Sequence, residues 1–120
     1  MGDRANVRWR TEGPEIFFYT HWSGSDLEAI IANALIRGKE RWNDGQYLAR
    51  IVFCEMVMED VLGKTGYGIS TIVGDGDGRY VTIDTQKQTA TGFDGKERSF
   101  AEFAAFFTVL DSSPLEENET

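Results

Sequence analysis

The sequence predicts an α+β protein with a mainly antiparallel sheet, in the order ββααβββα, and with helices packed on one face of that sheet. Three observations carry the prediction. Short alternating or apolar runs are joined by tight turn signals, the way antiparallel strands are linked. Other stretches carry apolar residues at helical spacing. The 120 residues leave room for one core, so all of these elements must share it.

Val7-Arg8-Trp9-Arg10 alternates apolar and charged side chains, the pattern of a strand with one wet face. Glu12-Gly13-Pro14-Glu15 supplies the dihedrals of a reversal. Ile16 to Thr20 follows as an aromatic strand with both faces covered, so a hairpin is expected from about Asn6 to Thr20. Ser25 and Glu28 have the spacing of a capping box, and Leu27, Ile30, Ile31, Ala34 and Leu35 line one face of the helix it would start. Gly38 ends or loosens that helix. A second helix is expected from about Gly45 to Leu62, capped by Asn43 or Asp44. Its Leu48, Ile51, Val52, Met56 and Val57 mark it as the central, most buried helix.

Beyond the Gly63–Gly68 loop, Tyr67 to Val73 reads as a strand and Gly74-Asp75-Gly76-Asp77-Gly78 as a hairpin connection. Tyr80 to Asp84 alternates well, and Thr89 to Phe93 makes a further strand between Gln86-Lys87-Gln88 and Asp94-Gly95. Ser99 and Glu102 form a second capping-box pair, and Phe100, Phe103, Ala104, Phe107 and Leu110 make the stripe of a last helix. Residues 1–110 are thus expected to form a single domain, and the acidic residues 111–120 a disordered tail.

Composition narrows the classes of function. The net charge of −8 argues against duplex DNA as a partner, which requires a basic face. No apolar run approaches the roughly 20 residues that span a bilayer, and the polar start MGDRANVRWR has neither signal-peptide nor anchor character. No membrane partner is expected. The single cysteine, Cys54, cannot pair within the chain and reads as a small buried hydrophobe in a reducing compartment, the cytoplasm. Gly74 to Gly78 begins like a calcium loop, but Tyr80 and Gln86 stand where glycine and a carboxylate belong. Gly63-Lys64-Thr65 closes a helix instead of opening one, so it is not a phosphate-binding loop. One histidine without ligands at suitable spacing makes no metal site, and no catalytic residue or cofactor is expected.

Two constellations remain. Tyr19-Thr20-His21-Trp22 puts amphipathic rings, an imidazole and hydroxyls where an aromatic strand meets a helix start, whose free amides favour anions. Arg37, Arg41 and Trp42 recur near the end of the first helix, with Tyr47 and Arg50 on the next. Arginine beside an aromatic ring can grip a phosphate while a base stacks. Arg37 and Arg41 share a helix face if the helix runs past Gly38. The competing readings are a Trp22 that plugs the core and a basic strip that is a solvated helix end.

From Ile16 to Phe107 the chain resembles a family of small proteins of phages, prophages and bacteria. The shared pattern is YTHW, a glycine, a capped helix, RW with an acidic turn, and YLARIVFCEM, then GYGIST and IDTQKQT through SFAEF. The resemblance implies a phage accessory protein in an infected or lysogenic host, of the sort that disarms host defence. Together with the residues above it leads to one expectation: a non-catalytic sponge for a small nucleotide immune signal, of cyclic dinucleotide or cyclic ADP-ribose type. Tyr19, Trp22 or Trp42 would stack a base, Arg37, Arg41 and Arg50 would meet phosphates, and His21 would bond ribose or phosphate. A homo-oligomer is expected with it, because a small chain gains a pocket most easily at a subunit boundary. The alternative is an acidic inhibitor of a host enzyme, resting on Asp75, Asp77, Asp84, Asp94 and the tail.

Overall fold

A computed structural model describes residues 2–73 and 78–111, with the backbone alone for 109–111. The expected first hairpin is present: β1 (Ala5–Arg10) pairs antiparallel with β2 (Ile16–Thr20), from Ala5 opposite Thr20 to Trp9 opposite Ile16. Alternation does its work on β1, where Ala5, Val7 and Trp9 enter the core and Arg10 is exposed. On β2 both faces are covered, as Phe17 and Phe18 point to opposite sides yet are 7% and 2% exposed. Phe18 belongs to the core. Arg8 covers Phe17, its guanidinium carbon 5.7 Å from that ring and 5.6 Å from the ring of Tyr80.

A single 3₁₀ turn, Gly24–Asp26, leads into α1 (Leu27–Arg37). The capping box expected here does not form. Ser25 instead gives its amide and hydroxyl to the carboxylate of Asp3, at 2.9 and 3.0 Å. Glu28 accepts from the Phe93 amide at 2.8 Å. A carboxylate more than twenty residues upstream therefore outcompetes the local partner. The approach is close: a Cβ on Gly24 would lie 2.6 Å from the Asp3 carbonyl oxygen, so only glycine fits there. Arg79 also donates to Asp3, at 2.9 Å. That guanidinium, ahead of the Ser25 amide and hydroxyl, holds the Asp3 carboxyl below its usual value.

Gly38 ends α1, and a 3₁₀ turn at Lys39–Arg41 precedes α2 (Gly45–Val57), whose N-cap Asp44 accepts from the Tyr47 amide. The helix stops five residues short of the expected Leu62. Met58, Val61 and Leu62 are 59%, 67% and 89% exposed, so the final turn would lack the packing that sustains a short helix in water. Nor is α2 the central helix. It is α1 that packs against both of the others, and α2 turns Tyr47, Arg50 and Cys54 to solvent.

The largest correction concerns the sheet. Its order is β3-β2-β1-β4-β5-β6, with β3 (Tyr67–Ser70), β4 (Tyr80–Asp84), β5 (Thr89–Thr91) and β6 (Glu97–Ser99). The sheet is mixed and mostly antiparallel: β4 lies parallel to β1, from Asn6 opposite Tyr80 to Arg10 opposite Asp84. The strands flanking Gly74–Gly78 are therefore no hairpin, because β1 and β2 stand between them. β3 also closes at Ser70, short of Val73, and β6 is a strand not expected from sequence. Glycines 74 and 76, aspartates 75 and 77, and the acidic tail from residue 112 lie outside the described residues.

The second capping box forms as expected. Ser99 and Glu102 exchange backbone and side-chain bonds at 3.0 Å each and start α3 (Phe100–Asp111). Phe100, Phe103 and Phe107 join Val7, Trp9, Phe18, Val81, Ile83, Ile31, Leu35, Leu48 and Val52 in one core cluster. Each fully buried phenylalanine there contributes about 1.5–3 kcal/mol. Arg98 on β6 is held under α3, its guanidinium carbon 4.4 Å from the Phe106 ring and 5.2 Å from that of Phe107.

Candidate functional site

Three of the seven residues singled out from sequence meet on one surface. In α2, positions 47, 50, 54 and 58 recur at three- and four-residue intervals, so Tyr47, Arg50 and Cys54 share a helix face that Met58 continues just past its end. Arg41, carried by the 3₁₀ turn before α2, stacks on that face with its guanidinium carbon 4.9 Å from the Tyr47 ring centre. Arg50 reaches along the helix to Cys54, its Nη1 lying 3.9 Å from the sulfur. Arg37 comes in from the end of α1. Together with Arg50, Ile51, Cys54, Glu55 and Met58 it lines a cleft of about 290 Å³.

Arg37 is held by Glu55. Its Nε donates to Oε1 at 3.0 Å and Nη2 donates to the same oxygen, while the Glu55 side chain is 6% exposed. A nearly buried carboxylate needs such a partner, and here the pairing also sets the direction of the arginine. The helix does not run past Gly38, so Arg37 and Arg41 do not share a helix face. They reach the same surface by separate routes, one from a helix end and one from a turn. The cleft also corrects the reading of Cys54, which is exposed. Leu48, Val52 and Met56 take the inward face of α2 and leave position 54 on the outward one.

Trp42 departs from its expected role. Its indole N–H donates to the Leu35 carbonyl at 2.9 Å and its ring meets Phe100 edge-on at 5.4 Å. It closes the open end of α1, packs against the core and does not line the cleft.

Tyr19, His21 and Trp22 form a second group at the far end of β2. The Tyr19 hydroxyl lies 3.0 Å from His21 Nδ1, and Arg4 Nε approaches the same nitrogen at 3.4 Å. The Trp22 ring stands edge-on to His21 at 4.3 Å and is 53% exposed, so it does not plug the core. It packs instead against Gly66, where φ is +99° and a Cβ would fall 2.1 Å from the indole nitrogen. The named contacts of His21 are thus Tyr19, Arg4 and Trp22, and that of Cys54 is Arg50; no contact joins the two residues as a nucleophile and base would be joined. Among the described residues no group of three His, Cys, Asp or Glu is placed to hold a metal ion.

The acids of the alternative reading are engaged where they are described. Asp84 accepts from the Gln86 and Lys87 amides. Asp94 accepts from the Lys96 amide and from Arg98, and these bonds, the amide first, lower its carboxyl below the usual value. Both serve turns. Other hollows are present among the described residues. One, of about 390 Å³, runs between Ser23, Asp26, Asn33, Glu55, Glu59 and Tyr67 and is acidic. Another, of about 770 Å³, lies among polar loop residues at the ends of the parallel β1–β4 pair, including Thr11, Asn43, Gln46 and Gln88.

Compared with protein-family models, curated proteins and solved structures, the chain shows no significant match. None of the described helices is long and apolar enough to cross a membrane.

Proposed function

We propose that the protein is a non-catalytic binder of a small nucleotide signal, of the cyclic dinucleotide or cyclic ADP-ribose class, acting as a phage-type counter-defence sponge. One observation carries the reading: Arg37, Arg41 and Arg50 reach a single exposed face of α2 around Tyr47, Cys54 and Met58. Guanidinium forks match phosphate oxygens in pairs, and a guanidinium already resting on an aromatic ring loses less freedom when it binds. Arg41 on Tyr47 has that arrangement. The cleft floor of Ile51, Cys54 and Met58 offers soft apolar surface to a base or ribose, which the charged rim alone would not. Glu55 keeps Arg37 at the rim and leaves Arg41 and Arg50 as the main phosphate contacts. In a chain of net charge −8 this local basic patch favours a small anion over a long polyanion. Tyr47, Arg41 and Arg50 thus replace Trp42 as the centre of the site.

Native mass spectrometry of the purified protein against a panel of cyclic nucleotides tests the reading. A defined added mass that is released intact on denaturation is the expected result. Arg41→Ala and Arg50→Ala should each weaken binding by about tenfold to a hundredfold while the protein stays folded, since each removes a charge-assisted bond. Unchanged affinity in both variants removes these residues from the site. A chemically converted nucleotide would make the protein an enzyme and overturn the reading.

A further inference from the structure

We infer that the outer edge of β3 is a self-association surface, on which a second copy of this chain adds its own β3 antiparallel across a twofold axis. β3 is one of the two ends of the sheet and pairs only with β2 among the described strands. In an antiparallel ladder alternate residues turn their N–H and C=O groups away from the neighbour, so this edge presents groups that an extended chain would satisfy. The two edges of the sheet differ in kind. β6 carries Glu97, paired to Lys87 beside it, exposed charges of the sort that keep edges apart. Around β3 no charged residue occurs from Thr65 through Val73.

The side chains there are also apolar and uncovered. Ile69, Ile72 and Val73 are 59%, 72% and 41% exposed, and Val61 and Leu62, on the segment leading from α2 to β3, are 67% and 89% exposed. Apolar side chains left exposed on and beside an open strand favour contact with another chain. Charge selects the occupant. Two copies of a −8 chain repel wherever their acids meet, and an uncharged strand lets their backbones come to pairing distance without opposing like charges. Such a strand is self-complementary, which an isologous twofold contact requires. Antiparallel pairing would continue the six strands into one sheet shared by both copies and would set the two Ile69 side chains on its same face. The inference is independent of the ligand proposed above.

Sedimentation velocity over a concentration series tests it, with hydrogen exchange of the Tyr67–Ser70 amides in parallel. Two short strands bury little area, so a dimer with a Kd of roughly 10–100 μM is expected, with exchange slowing as it forms at those of these amides that face away from β2. Ile69→Lys and Ile72→Lys place like charges across the twofold at positions already exposed in the monomer. Each should keep the native circular-dichroism spectrum and weaken dimerisation at least tenfold. A wild-type chain that stays monomeric to about 500 μM overturns the inference. So does a dimer that survives both substitutions. Outward-facing amides of Tyr67–Ser70, those not bonded to β2, that are protected at every concentration in a monomer would mean that a segment of the same chain covers the edge, which overturns it as well.

Discussion

Glu28→Ala tests how α1 is anchored to the sheet. The Glu28 carboxylate accepts from the Phe93 amide at 2.8 Å and so ties the first turn of α1 to the turn between β5 and β6. Deleting an ionised acceptor leaves that amide without its partner, a loss of about 1.5–3 kcal/mol. Glu28 is only partly buried, so water compensates in part and the lower half of that range applies. With a urea m-value of roughly 1.5 kcal/mol/M, the unfolding midpoint should fall by about 1 M. The companion variant is Ser25→Ala. A capping box would couple the two residues, because each side chain would accept from the other's backbone amide at the start of the helix. In the structure Ser25 serves Asp3 and Glu28 serves Phe93, so the double variant should lose the sum of the single losses within about 0.5 kcal/mol. Urea unfolding of the four proteins, followed by tryptophan fluorescence, measures all of this. A loss below about 0.5 kcal/mol for Glu28→Ala, or a coupling above about 1 kcal/mol with Ser25→Ala, would refute the reasoning.

The remaining predictions concern the other capping box and the acid limb of stability. Ser99→Ala should cost about 1 kcal/mol, and adding Glu102→Ala should cost much less than it does alone, because the two bonds are reciprocal; strictly additive losses in chemical denaturation would contradict this. Asp3 has a folded pKa depressed below its usual 3.8, chiefly by Arg79 and then by Ser25. Its contribution is therefore present above that value and fades as pH falls through the lower folded pKa. Asp3→Asn should flatten the dependence of the melting temperature on pH in that acid window while leaving its slope near neutrality unchanged, and superimposable acid limbs would count against the Asp3–Arg79–Ser25 cluster.

The two candidate capping boxes show where sequence reading succeeds and where it stops. Ser99-Phe100-Ala101-Glu102 and Ser25-Asp26-Leu27-Glu28 carry the same signal. The first forms, and Ser99 and Glu102 each accept from the other's amide. The second does not, because folding brings Asp3 to Ser25 and the Phe93 amide to Glu28. A local pattern is decided locally only when no distant partner offers a better bond. The site follows the same logic. Arg41 and Arg50 were visible as a basic strip, and α-helical spacing places Arg50 near Cys54 and Tyr47. That Arg37 would reach the same cleft, Trp42 would turn inward, and Cys54 would face out depended on how α1, α2 and α3 pack.

What the sequence by itself determined is the set of elements and their inward faces: the first hairpin, the three helices, the apolar stripes and the uneven charge. These follow from periodicity, turn chemistry and capping, which act over a few residues. What only the tertiary structure decided is pairing and convergence. β4 lies beside β1 and not beside β3, β6 completes the far edge, and arginines from a helix end and a helix face line one cleft while a third, from a turn, stacks on Tyr47 of the same helix. Strand partners are chosen by which non-local arrangement buries Val7, Phe18, Val81 and Ile83 together under the helices. That burial depends on the whole chain at once and has no counterpart in any short window of it.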